Sequence, residues 1–168
     1  MSLKDYLNIE IRTSKEESYL HILYKALFEP SFEAVWLIRM ALYSRIPLLR
    51  YFFRRKLKLK YGVYIGDNTI IEAGLRMQHP TSIVIGNHVK IGKRCTIFQN
   101  VTIGIDRIHS GGGYPTIGDD VIIYAGAKVI GPISIGNNSI IGANAVVTKS
   151  TPPNSIIVGV PATWKTRK

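Results

Sequence analysis

Imidazole exchanges protons near neutral pH more readily than any other unperturbed side chain, and this chain carries four: His21, His79, His88 and His109. His109 belongs to the run IDRIHSGGGYPT, residues 105–116, where Arg107 and Tyr114 stand with it among glycines. A polar, glycine-rich run of that kind is where a scaffold carries a binding or catalytic loop. His79 lies in MQHPTSIVIG, between Gln78 and Pro80. Residue type alone leaves two readings for it, a proton-transfer base or a hydrogen-bonded histidine at a corner. His88 reads as an exposed turn residue and His21 as a helix-surface or helix-contact residue. Cys95 is the single cysteine, so neither an internal disulfide nor a cysteine-based zinc site is expected.

What these side chains do depends on the elements that hold them, and glycine divides those elements in two. All 15 glycines lie at or after Gly62, while isoleucine rises from 5 in residues 1–62 to 20 in residues 63–160. The first part excludes the residue that most weakens a helix interior, and the second is rich in a β-branched strand former. Residues 1–61 therefore read as a helical region and 62–168 as a β domain. Leu20, Leu23, Tyr24, Leu27 and Phe28 recur at helical spacing. Pro30-Ser31 reads as a break and an N-cap, with Glu33 in the first turn of a second helix. Pro47 is placed to open a third helix. Its segment, Arg45 to Lys60, interleaves seven cations with leucine, tyrosine and phenylalanine and contains no acid.

The β domain repeats, with one aliphatic residue every six positions. Ile65, Ile71 and Met77 are followed, after a two-residue slip, by Ile85, Ile91, Ile97 and Ile103; a second series runs Ile117, Ile123, Val129, Ile135, Ile141 and Val147. Four positions after most of them stands a small or β-branched residue, among them Thr69, Thr81, Val89, Cys95, Val101 and Val121. A strand and a turn per hexad, three hexads per coil, give a parallel β-helix whose aliphatic residues stack about 4.8 Å apart. The loop at 105–116 interrupts the frame, and a tail at 152–168 ends it.

At 168 residues the chain suits one domain with a small appendage. No apolar run is long enough to span a bilayer, and the N-terminus lacks an apolar signal core, so a cytoplasmic location is expected. The formal charge of +11 invites an anionic partner: nucleic acid, lipid headgroups or a phosphorylated cofactor.

The hexads, MQHPTSIVIG, IFQNVTIG, the closing NSIIVGVPA and the helix PSFEAVWLIRMALYSR together resemble the serine-acetyltransferase-like branch of the hexapeptide acyltransferases. The resemblance runs from about Pro30 to Lys168. It implies a left-handed β-helix, a homotrimer with sites between subunits, and acetyl-CoA as donor. It makes His79 the catalytic base. It places Gly104, Ala125 and Ala143 beside coenzyme A, where larger side chains would fill the groove, and Gln99 near the reacting groups. Lys128, Lys149, Lys165, Arg167 and Lys168 are candidates for the cofactor's phosphates. The spacing of His79, His88 and His109 does not match the histidine-metal solenoids, and no metal is expected.

Serine acetyltransferases carry an aspartate where this chain has Gln78, a second one at the place of Tyr64, and an Arg-His pair at Gly113 and Tyr114. Those groups receive the amino acid's charges, through hydrogen bonds worth about 1.5–3 kcal/mol each. Their absence favours a sugar hydroxyl in capsule, exopolysaccharide or lipopolysaccharide biosynthesis as acceptor, lined by Tyr64, Gln78, Arg107, His109 and Tyr114. Serine O-acetylation is the alternative, and a non-catalytic scaffold or nucleic-acid binder ranks below both, because no basic-aromatic recognition motif is present. The basic third helix reads either as packed on the solenoid or a neighbour, or as lying on an anionic inner-membrane surface.

Overall fold

A computed structural model describes residues 29–106 and 113–167. Helix α1 spans Pro30–Tyr43 and α2 spans Pro47–Tyr61. Both carry proline in the first turn, where its missing N–H costs nothing. Ser31 falls inside α1 and Glu29 holds the cap position, so the serine cap expected from the sequence is displaced by the proline. Gly62 ends α2 in the left-handed conformation, φ +64°, with its N–H donating to the Lys58 carbonyl at 3.0 Å.

From there the chain winds into a left-handed parallel β-helix of three sheets. The first sheet holds β1 (Tyr64–Ile65), β4 (Val84–Ile85), β7 (Thr102–Gly104), β10 (Lys128–Ile130) and β13 (Val146–Val147). The second holds β2 (Ile70–Ile71), β5 (Lys90–Ile91), β8 (Thr116–Ile117) and β11 (Ser134–Ile135). The third holds β3 (Arg76–Gln78), β6 (Thr96–Phe98), β9 (Ile122–Ile123), β12 (Ile140–Ile141) and β14 (Ser155–Gly159), closed by antiparallel β15 (Ala162–Thr166).

The thirteen aliphatic residues of the hexad series are each at most 3% exposed and form the central column. The smaller series is buried with them, except that Thr81 is exposed and Ile83 fills its place. The slip in the repeat explains that exception: the chain has extra residues to accommodate before it re-enters the first sheet. Arg39 of α1, fully buried, donates to the carbonyls of Ile71 and Glu72, and the Tyr43 hydroxyl donates to Ile71 at 3.1 Å. These bonds fasten α1 to the first coil. Glu33 bridges the two helices, accepting from the Tyr61 hydroxyl at 2.7 Å and from Lys60. Among the described residues no helix is long and apolar enough to cross a membrane.

Candidate active site

Each coil enters the first sheet through a corner whose key residue adopts the left-handed backbone: Gly62, Ser82, Asn100, Gly126 and Asn144. Backbone hydrogen bonds tie them into a column, from Ser82 to Tyr61, Asn100 to Thr81, Gly126 to Gln99 and Asn144 to Ala125, at 2.9–3.0 Å. The residue before each left-handed position is Thr81, Gln99, Ala125 and Ala143 in turn. Three of the residues singled out by sequence therefore stand in one vertical row, a coil apart.

His79 belongs to the same corner. Gln78 pairs with Phe98 and Ser82 is level with Asn100. Residues 79–81 thus fill the space that Gln99 alone fills one coil higher. The two-residue slip is a bulge at the histidine, which is exposed and held at φ +52°. Its carbonyl accepts from the Thr81 N–H at 2.6 Å, closing the bulge. Left-handed backbone recurs at the regular corners of this solenoid, His88 at φ +55° among them, so the bulge and not the φ value sets His79 apart. Immediately above, the Gln99 side-chain oxygen is shielded from solvent and accepts no hydrogen bond among the described residues. An unsatisfied acceptor of this kind is a place for a substrate donor.

The rest of the row is small. Ala125 and Ala143 put only methyl groups at the corner. Lys128, at the start of β10, turns its ammonium back to the Asn100 carbonyl at 2.6 Å, so it supports the corner of the coil below. Tyr64 opens β1, level with Val84 and 48% exposed. It lines a cavity of about 260 Å³ with Tyr51, Arg54, Arg55, Lys58, Val63 and Ile65.

A second group lies across the first sheet, at the margin where the chain leaves it. Gly104 ends β7 there, level with Ile130. A Cβ built on it meets no atom within 4 Å, so an open strip runs past its backbone. Tyr114 packs on the core and sets its ring 5.2 Å from that of His88. His88 is exposed, as its turn position implies, but has this aromatic neighbour. Within one protomer Tyr114 and Gly104 are thus separated from His79 by the width of the sheet. Arg107 and His109 lie outside the described residues. Lys165 is exposed on β15, paired with Ile156 at the end of the third sheet.

Sequence reasoning missed two residues at the first corner. Phe98 and Tyr124 follow the inward Ile97 and Ile123 and stack with centroids 4.9 Å apart and planes 30° apart. With Gln78 they form an outward ladder beside the bulge. Their position immediately after the inward aliphatic, at the end of third-sheet strands, was the available signal. No cluster of three metal-ligating side chains occurs among the described residues.

Comparison with known proteins agrees with this architecture. The bacterial transferase hexapeptide family, of six repeats, matches residues 114–149. Serine acetyltransferase of Mycobacterium tuberculosis is 44% identical over 135 residues, covering 79% of this chain and 59% of that protein. The crystal structure of Neisseria gonorrhoeae serine acetyltransferase superposes with TM-score 0.79 at 30% identity, over 98% of this chain and 65% of that one. The Brucella abortus enzyme in complex with coenzyme A gives TM-score 0.79 at 26% identity, over 98% and 68%. The chain belongs to the hexapeptide-repeat acyltransferases, in their serine-acetyltransferase-like branch. It spans about half to three fifths of the length of the curated relatives it matches, from 46% to 59%.

Proposed function

We propose that this protein transfers an acetyl group from acetyl-CoA to a hydroxyl, with His79 as the base. The observation that carries the reading is the bulge at residues 79–81, which lifts one histidine out of an otherwise regular corner, directly below an unsatisfied Gln99 acceptor. The donor supplies an activated acetyl thioester. His79 removes the proton of the acceptor hydroxyl as its oxygen bonds to the carbonyl carbon. It then delivers that proton to the sulfur as the carbon–sulfur bond breaks. An alcohol is too weakly acidic to attack unaided, and a positioned base supplies about 10²- to 10⁴-fold. The open strip at Gly104 and the methyl-lined row of Ala125 and Ala143 fit a long, narrow donor approached mainly through backbone groups.

Serine is the acceptor that the comparisons favour, since the relatives and structural neighbours cited above are serine acetyltransferases. This displaces the sugar hydroxyl expected from the sequence as the leading reading. The sugar remains the second reading on one observation: Gln78 and Tyr64, both neutral and exposed, stand where a zwitterion would call for carboxylates. Release of CoA thiol from acetyl-CoA, measured with serine, nucleotide sugars and oligosaccharides in turn, tests both. Acceleration by serine alone supports the first; acceleration by sugars alone overturns it.

The separation of the two groups of site residues supports a homotrimer. Three solenoids around a threefold axis set the entry margin of one first sheet against the exit margin of the next, as closed cyclic assembly allows. Each site would then combine His79 and Gln99 of one subunit with Gly104 and Tyr114 of its neighbour. Peripheral contact with an anionic lipid surface is supported by the outward face of α2, where exposed Leu48, Phe52 and Leu59 lie among Arg55, Lys56 and Lys58.

A further inference from the structure

The cavity between α2 and β1 has a composition that acetyl transfer does not require. Tyr51, Arg54, Arg55 and Lys58 follow helical spacing and line one side; Val63, Tyr64 and Ile65 form the other. Three cations thus converge on about 260 Å³. Among the described residues only one carboxylate pairs with them, Asp67, which accepts from an Arg54 Nη1 hydrogen and is itself exposed. Like charges one helical turn apart repel, and α2 contains no acid to offset them. The Arg54 Nε–H is shielded from solvent and has no hydrogen-bond acceptor among the described residues. A shielded donor left unpaired is unfavourable. An anion entering the cavity would relieve both the repulsion and the unpaired donor.

We propose that this cavity binds a phosphate-bearing group, a phosphomonoester or diphosphate, with Tyr51 and Tyr64 flanking the ring or chain attached to it. Guanidinium forks match phosphate oxygens in geometry and charge, and ammonium adds a mobile third donor. The volume of about 260 Å³ has room for a diphosphate with part of one ring. Val63 and Tyr64 lie one rung below Ile83 and Val84, the strand that follows the His79 bulge. Free serine has no phosphate to place in the cavity; a phosphorylated acceptor or an anionic headgroup does. The proposal stands on the cavity and is read by binding, so failure of acetyl transfer to serine leaves it untouched.

Inorganic pyrophosphate is the probe, titrated calorimetrically into the full-length protein at low and at 0.5 M salt. Saturable binding is expected, weakening with salt. In the Arg55→Gln/Lys58→Gln variant, which keeps the Arg54–Asp67 pair, affinity should fall by about tenfold or more. A Lys90→Gln/Lys93→Gln variant, altered on the second sheet and the corner after it, serves as the control and should bind as the parent does. Sedimentation with phosphatidylglycerol and with phosphatidylcholine vesicles separates the sources. Pyrophosphate binding without pelleting assigns a soluble phosphorylated ligand, and pelleting on phosphatidylglycerol that the Arg55/Lys58 variant loses assigns a lipid phosphate. No saturable binding of either probe, or equal binding by parent and variant, overturns the proposal.

Discussion

Gly104 and Ala125 stand on opposite margins of the same sheet, one at its exit toward the second sheet and the other at its entry from the third. Both are small where the groove would have to be open, yet one protomer does not bring them together. The shared site proposed above would bring them together across a subunit boundary, and complementation tests it. His79→Ala chains and Gly104→Trp chains should each be nearly inactive. Refolded together in equal amounts, they should recover about a quarter of the parent's activity, because one interface in four then joins two intact halves in a cyclic assembly. A mixture as inactive as its components would place the whole site within one protomer.

His79→Ala alone should lower kcat by about 10²-fold or more with little change in the Michaelis constant for acetyl-CoA, since the side chain moves a proton and does not hold the donor. Its exposure means that the circular dichroism spectrum and melting temperature should stay close to the parent's. Unchanged turnover would remove it as the base.

Two glycines should respond in opposite ways. At Gly104 a Cβ meets nothing within 4 Å, so Gly104→Val should melt like the parent while raising the Michaelis constant for acetyl-CoA. Gly126 has φ +73°, and a Cβ there would lie 2.0 Å from the Asn144 Oδ1 atom. Gly126→Ala should therefore lower stability by about 1–2 kcal/mol through backbone strain. Thermal denaturation and steady-state kinetics on the pair separate groove from scaffold.

Glu33 gives the helices a pH-dependent clasp. Burial opposes its charge, but hydrogen bonds from Lys60, Tyr61 and Lys56 and the Lys60 charge outweigh burial and hold the carboxyl below its ordinary value near 4.5. A carboxyl depressed in the folded state stabilises fully above that ordinary value and loses its contribution as pH falls through the folded value. Glu33→Gln should thus cost about 1 kcal/mol at pH 7, the lysines being half in water. The difference from the parent should shrink through the acid range. A constant difference between pH 7 and pH 3, measured by urea unfolding, would show that the clasp acts without its charge.

Cys95 should be chemically silent in the folded protein. It is fully buried, its Sγ lies 3.1 Å from the Gly118 carbonyl, and burial pushes the thiol up to about 11. The thiolate is the reactive form. An aromatic disulfide reagent at pH 8 should therefore label the chain only after denaturation; rapid labelling of the native protein would mean that the coil around Cys95 opens readily.

The solenoid was legible because its core is a single column, and a column forces one residue type to recur at a fixed interval. The exception at Thr81 was not legible, since the sequence shows that two residues are extra but not which side of the corner absorbs them. The structure puts them at His79 and Pro80, leaving Ile83 to fill the core. Gln99, Ala125 and Ala143 each carried a motif, but their shared row follows from register, which only the paired strands reveal. Tyr114 is expected in one acceptor site with Gln78, beside His79, because it stands where serine acetyltransferases carry part of an Arg-His pair. Their separation follows from which corner holds the loop, and a one-dimensional repeat does not specify that. Phe98 and Tyr124 escaped notice because an aromatic after an inward aliphatic looks like ordinary strand composition.

The first coil of any parallel solenoid leaves a row of backbone groups with no strand beneath them, a ready template for another chain. Here Arg39 and Tyr43 occupy that row at Ile71 and Glu72. At the far end β15 runs antiparallel to β14, so the third sheet finishes on a strand whose direction breaks the winding. Side-chain donors thus take acceptors on the lowest rung of the second sheet, and the third sheet ends above on a reversed strand. The fully buried arginine of α1 therefore fills two acceptors on the lowest rung of the second sheet that an added strand would otherwise use.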